Sequence, residues 1–154
     1  MNLPSRTTIP LDSVIFGYGP MLPFAAGAIG SWASPALQGA AIGLTIIWGS
    51  LILSFVGGVR RGFGFGEPSA STRVEIATMA VYVSVAGLAL ICGWRGSPAW
   101  ATGLLAAGFA MVAVLDSMAA RVANAPAHFA RLRGPQMAIA VVSLWVLLAR
   151  IVTS

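Results

Sequence analysis

The stretch ALQGAAIGLTIIWGSLILSFVGGV, residues 36–59, decides the fold because it contains no charged side chain over its whole length. An α-helix that crosses the hydrocarbon core of a bilayer needs about 20 apolar residues, at a rise of about 1.5 Å each. Two arginines, Arg60 and Arg61, follow directly, as is typical of the point where a helix leaves the hydrocarbon. The stretch therefore predicts a transmembrane helix.

The composition of the whole chain is that of a membrane protein. Of its 154 residues, 58% are hydrophobic and 8% are charged, whereas soluble domains carry roughly 25% charged residues. The mean hydropathy is +0.88. So few charges cannot cover a water-soluble surface, and a soluble fold is excluded. The net charge of +5 comes from arginines beside the apolar runs, which favours a topology signal over nucleic-acid binding.

Charges, prolines and Ser/Gly clusters divide the chain into five apolar segments, each about as long as a bilayer span. The predicted spans are 14–33, 36–59, 74–94, 99–120 and 135–153. They predict an all-α integral membrane bundle that forms one transmembrane domain over 1–154. Pro20 and Pro23 would kink the first span, and a signal peptide ending after Ala33 is an alternative interpretation of that segment.

The distribution of arginines predicts the orientation. An odd number of spans puts the termini on opposite sides of the membrane, and seven arginines fall on the side of the N-terminus: Arg6, Arg60, Arg61, Arg73, Arg121, Arg131 and Arg133. Only Arg95 and Arg150 fall on the other side. Because basic residues stay in the cytoplasm, we expect the N-terminus inside and the C-terminus outside. A bacterial inner membrane is the expected location, with an organelle inner membrane as the alternative.

Small residues recur at the spacing at which membrane helices pack. Gly39 and Gly43 form a GxxxG pair, and Gly57 and Gly58 loosen the same helix near its end. We expect these glycines to serve helix packing inside the bundle. The alternative is a docking surface for another membrane protein.

Asp116 is a carboxylate within the span at 99–120, where an unpaired charge is costly. We expect a structural ion pair with an arginine from a neighbouring loop, Arg60, Arg61 or Arg133, and a proton or substrate role is the alternative. Adjacent helix residues point about 100° apart, so Arg60 should turn inward while Arg61 faces lipid phosphates or a partner. The other residues assigned to lipid or partner contact are Phe63, Phe65 and Arg131.

His128 is the only histidine, so neither a bis-histidine haem site nor a zinc site is expected. A single axial ligand to a tetrapyrrole is the one cofactor role left open for it. The surrounding segment, 126–133, predicts a short interfacial helix that Gly134 and Pro135 end before the last span. The chain has no catalytic triad, HExxH or CxxC motif, so neither a catalytic site nor a metal site is predicted.

Several anchors distributed along the chain resemble one known family. They are Gly19-Pro20 with Pro23-Phe24, the block ILSFVGGVR at 52–60 with Gly62, Asp116, and Pro126 with Leu132-Arg133. On these residues the chain resembles the small multi-pass membrane family that includes transmembrane protein 69 and bacterial homologues sharing a domain of unknown function. The family has a tryptophan at the position of Arg61. The resemblance implies a membrane fold and implies no activity.

Three functions are compatible with these features. The first is a non-catalytic accessory, assembly or structural subunit that docks in the membrane against a larger, energy-transducing complex, with lipids and other membrane-protein subunits as partners. The second is a small-solute or ion transporter or channel component. The third is a pigment- or haem-associated protein that binds its group through His128.

Overall fold

The computed structural model describes residues 11–62, 72–121 and 127–154. Every regular element within these ranges is a helix. The elements are α1 (Leu11–Tyr18), a 3-10 turn (Gly19–Met21), α2 (Leu22–Ala33), α3 (Pro35–Gly62), α4 (Thr72–Trp94), α5 (Pro98–Arg121) and α6 (Ala127–Thr153).

Four helical stretches among the described residues are long and apolar enough to cross a membrane. They are Pro35–Gly62, Arg73–Trp94, Pro98–Met118 and Arg133–Thr153. Each contains most of one predicted span, so the prediction of an all-helical fold with several helices able to cross a membrane is confirmed for the residues that the structure describes.

The first predicted span, at 14–33, is a helix interrupted at its prolines. Pro20 lies in the 3-10 turn, where the N–H of Leu22 donates to the carbonyl of Gly19. Tyr18 and Met21 keep right-handed helical dihedrals, so the chain continues in the same helical sense from α1 into α2. Proline has no N–H to donate, which explains why the regular ladder is lost here. The regular α-helix is therefore interrupted at the predicted prolines, and neither piece alone has the length of a span.

The prediction of a separate interfacial helix at 126–133, ended by Gly134 and Pro135, is wrong. Helix α6 runs without interruption from Ala127 to Thr153 and contains Pro135 in its interior. The φ angle that proline imposes, about −65°, is itself helical, so the main loss is one backbone hydrogen bond. The packing of α6 along α5 and α2 outweighs that loss.

Two short turns join the helices at the end of the bundle opposite Asp116. Ser34 has extended dihedrals, and its Oγ accepts a hydrogen bond from the Ala36 N–H at 3.3 Å, which caps α3. At the end of α4, Gly96 has φ of 74°, and the Ser97 N–H donates to the Cys92 carbonyl at 2.9 Å. This left-handed cap favours glycine because a Cβ would be strained there.

The helices pack as a closed ring. Each helix from α2 to α5 contacts the next helix in sequence, α6 returns to α2, and α3 also contacts α5 across the interior. Phe24 of α2 and Phe109 of α5 meet edge to face at the centre, with ring centroids 5.1 Å apart. Gly49 of α3 leaves the space for them, since a Cβ there would lie 3.2 Å from Phe24 Cε1 and 2.9 Å from Leu105 Cδ1.

Candidate functional site

A buried cluster of charged and polar side chains lies at the Asp116 end of the bundle, where α3 and α5 end and α4 and α6 begin. Arg60 belongs to the last turn of α3, Asp116 lies near the end of α5, and Arg133 lies near the start of α6. Because consecutive helices run in opposite directions, residues far apart in sequence converge at this end.

Asp116 is the centre of this cluster. Its Oδ1 lies 3.7 Å from Arg60 Nη1, and its Oδ2 lies 3.4 Å from Arg133 Nε. Asp116 is 3% exposed and Arg60 is 7% exposed, so both charges are shielded from water. The structure thus brings together the three residues that the sequence suggested as an ion pair, one from each of three helices.

Tyr82 of α4 is the fourth member of the cluster and is fully buried. Its hydroxyl interacts electrostatically with Asp116, Arg60 and Arg133. Because α3 approaches α4 closely at Gly57, the Tyr82 side chain can reach the charged cluster. A Cβ on Gly57 would lie 3.4 Å from the Met79 carbonyl oxygen and 3.5 Å from Tyr82 Cβ. Gly57 is therefore a packing glycine, and it positions part of the site.

The hydrogen bonding of the cluster is incomplete within the described residues. Arg60 Nε and Nη1 have no hydrogen-bond partner there, whereas the Tyr82 hydroxyl approaches the Asp116 carboxylate as a hydrogen-bond donor. Charge-assisted N–H···O bonds are normally about 2.7–2.9 Å long, so the two Asp116 contacts are electrostatic pairs rather than short bonds. Such an arrangement can hold helices in register, and it can present buried donors to an anionic group.

Glu75 is a second buried acid near the same end, 4% exposed in the first turn of α4. It is not among the charged groups that act on Asp116 or on Tyr82. The amide groups at the start of a helix favour a negative side chain, which accounts for a carboxylate at this position. In the part of the chain that the structure describes, no three His, Cys, Asp or Glu residues could hold a metal ion together.

The remaining predicted site residues are those assigned to lipid, partner or cofactor contact. Arg61 is half-buried and has an interaction of its own. Phe63 and Phe65 lie outside the described residues, as do the side chains of His128 and Arg131. Their predicted contacts with lipid, a partner or a tetrapyrrole stay predictions.

Three of the four glycines assigned to helix packing do not pack internally. A Cβ on Gly39, Gly43 or Gly58 would meet no atom within 4 Å, so no neighbouring helix of the described chain closes on them. The internal helix contact that the sequence predicts is therefore missing at these three glycines among the described residues, whereas Gly57 does face α4. The reason is geometric: the GxxxG face of α3 points into a groove between α3 and α4 instead of against a helix.

Sequence reasoning missed a second polar cluster at the opposite end, which we name the Arg150 end. Arg150 Nε donates to the Ser31 carbonyl at 3.1 Å, and its Nη2 donates to Gln38 Oε1 at 3.0 Å. The Arg150 guanidinium also lies 5.3 Å from the centre of the Trp32 ring. The sequence shows Trp32 near the end of one predicted span and Arg150 near the end of another. Only the closure of α6 onto α2 brings them together.

The partner of the Trp48 indole was also undetermined from sequence. Its Nε1 donates to the Pro20 carbonyl at 2.9 Å. In a 3-10 turn that carbonyl would accept from residue 23, which is a proline without an N–H. The bond therefore ties the interrupted first segment to α3.

Comparison with known proteins supports a family assignment without a function. No curated protein and no solved structure matches the chain. One family, described as "Protein of unknown function (DUF3429)", matches residues 9–149. Since that match covers nearly the whole chain, the protein belongs to the DUF3429 family of unknown function.

Proposed function

We propose that the chain crosses a bacterial inner membrane five times, with its N-terminus in the cytoplasm and its C-terminus outside. The arginine distribution supports this orientation. The first segment supports the count, because α2 packs between α3 and α6 and completes the ring of apolar helices. Reporters fused to the two termini test the topology. A C-terminal reporter that is active in the cytoplasm would contradict it.

We propose that the protein serves as a non-catalytic accessory subunit that binds a transmembrane helix of a larger complex. The observation that supports this role is the groove between α3 and α4, about 720 Å³ in volume. Gly39 and Gly43 line it with no atom within 4 Å of a Cβ, and Ile46 and Trp94 are among its apolar walls. Paired small residues let a second helix backbone approach closely, which is how helices associate in lipid.

The docking hypothesis is tested by adding bulk to the groove. Gly43→Leu should remove a co-purifying membrane subunit, identified by mass spectrometry, while the variant chain keeps the thermal stability of the wild type. Gly103→Leu is the matched control, because that α5 glycine also has open space around its Cβ position but does not line the groove. Equal loss of the partner in both variants, or in neither, would refute docking at this groove.

A transporter or channel component is the second candidate, and one observation favours it. Asp116 faces the interior of the bundle and contacts arginines of two other helices. Ionisable residues inside membrane bundles often mark ion or substrate pathways. The test is flux in proteoliposomes with Asp116→Asn. Flux of an ion or solute that the substitution abolishes would support transport, and absence of flux in the wild-type protein would count against it.

A further inference from the structure

We propose that Arg60 and Arg133 form a binding site for one anionic oxygen group of the phosphate class at the Asp116 end of the bundle. The ligand is either the phosphate of an anionic lipid headgroup or a free oxyanion such as inorganic phosphate, since both present the same chemistry to a guanidinium. This site is independent of the groove proposed for docking, and it shares Asp116, Arg60 and Arg133 with the transport candidate without requiring that anything is transported.

The donors of Arg60 provide the first observation. This side chain is buried, yet its Nε and Nη1 have no hydrogen-bond partner among the described residues. The nearest acid, Asp116, lies 3.7 Å away, beyond hydrogen-bonding distance. A buried donor without a partner is rare in proteins, and an ion or water commonly accounts for it. The compact charge of an oxyanion would satisfy such donors at about 2.7–2.9 Å.

The charge balance provides the second observation. Two guanidinium groups approach one carboxylate, and Arg133 has a further interaction besides Asp116. Arg60 alone has about five N–H donors and no acceptor, so one carboxylate leaves some of its donors over. Glu75 is not among the charged groups that act on Tyr82, Asp116 or Arg133, and the salt bridge of Arg60 among the described residues is to Asp116. A second anion would therefore be matched by Arg60.

The depth of the cluster suits a headgroup phosphate. Asp116 precedes the last residue of α5 by five positions, and Arg60 precedes the last residue of α3 by two. At about 1.5 Å per residue, the cluster lies within about 8 Å of the helix ends. Arginines at this depth are known to reach lipid phosphates and to draw them inward.

The experiment uses the full chain, stripped of lipid in a neutral detergent, with thermal unfolding as the measure of binding. In one arm inorganic phosphate is titrated against chloride at equal ionic strength. In the other, the chain is placed in phosphatidylcholine nanodiscs with and without phosphatidylglycerol, and retained lipid is identified by native mass spectrometry. Stabilisation by phosphatidylglycerol alone supports a lipid headgroup, and stabilisation by inorganic phosphate supports a free oxyanion. No stabilisation in either arm overturns the proposal.

Variants locate the site. Arg60→Gln should weaken the apparent affinity about tenfold or more, as expected for the loss of a hydrogen bond to a charged group. Arg95→Gln, at the exposed turn after α4, is the matched control and should bind as the wild type does. Equal binding by wild type and Arg60→Gln would overturn the assignment.

A second variant keeps the test decisive if Arg60→Gln fails to fold. Asp116→Asn removes the carboxylate that competes for the same arginines, so the anion should bind about tenfold more tightly and restore part of the lost stability. Unchanged or weaker affinity in Asp116→Asn would contradict the proposed site.

Discussion

The two ends of the helix bundle hold their arginines in different ways. At the Arg150 end, the guanidinium donates two hydrogen bonds of 3.0–3.1 Å to neutral oxygens, those of Ser31 and Gln38. At the Asp116 end, Arg60 is more deeply buried and lies 3.7 Å from its carboxylate. One end is thus organised by hydrogen bonds and the other by charge balance.

Burial explains the difference. Arg150 is half-exposed, so its charge still reaches water or headgroups, and neutral acceptors suffice. The Ser31 carbonyl belongs to the last turn of α2, where carbonyls lack helical donors and carry partial negative charge. Arg60 has no such contact with solvent. A buried cation without a counter-charge costs several kcal/mol, so only an acid stabilises it.

The largest effect is therefore expected from removing the acid. Asp116→Ala should lower the free energy of unfolding by about 3–5 kcal/mol, because it leaves buried guanidinium charge uncompensated. Denaturant titration in one detergent, compared with Ser154→Ala at the exposed C-terminus, measures the change. A loss no larger than that of the control would show that the cluster is not held by charge balance.

The next test compares two adjacent arginines at the same end. Arg60→Ala should cost about 1–3 kcal/mol, since it strands part of the Asp116 charge in the interior. Arg61→Ala should cost less, because Arg61 is half-buried whereas Arg60 is buried against Asp116. Thermal melts of both variants in the same detergent give the ranking. An equal or larger loss for Arg61→Ala would contradict the prediction that Arg60, which faces the bundle interior, contributes more to stability than Arg61.

Local patterns predicted the helices, because an uncharged stretch as long as 36–59 has few alternatives to a membrane helix. They also suggested which charges would meet at Asp116, since a carboxylate in a span needs a partner and the arginines at helix ends are within reach. Both inferences use short-range rules that depend on residue type and helical rise alone.

What depends on the assembled ring was not predictable. Gly39 and Gly57 are both glycines on α3, yet one faces an open groove and the other faces α4. The sequence does not encode the rotation of a uniformly apolar helix in any visible pattern. The same holds for Arg150, whose partners belong to α2 and α3 and are brought near only when α6 closes the ring.

Removing the hydrogen-bonded arginine should have a smaller effect than removing the charge-balanced one. Arg150→Ala should cost about 1 kcal/mol, because water can replace part of its bonding at a half-exposed position. Arg95→Ala, on the exposed turn at the same end, should leave the melting temperature unchanged. If Arg150→Ala were as destabilising as Arg60→Ala, the proposed contrast between the two ends would fail.

The smallest effect is expected at the two indole hydrogen bonds, those of Trp48 and Trp32. Trp48→Phe removes a 2.9 Å bond from a half-buried indole to the Pro20 carbonyl, and it should cost about 0.5–1 kcal/mol. Trp32→Phe removes a 3.3 Å bond to the Val146 carbonyl from an indole that is 54% exposed. Because water or headgroups replace that longer bond, Trp32→Phe should leave the thermal stability unchanged. Thermal melts of the two variants in one detergent measure the two losses. A loss of stability in Trp48→Phe alone would show that shielding from water, rather than the presence of a hydrogen bond, determines how much a polar contact stabilises this bundle.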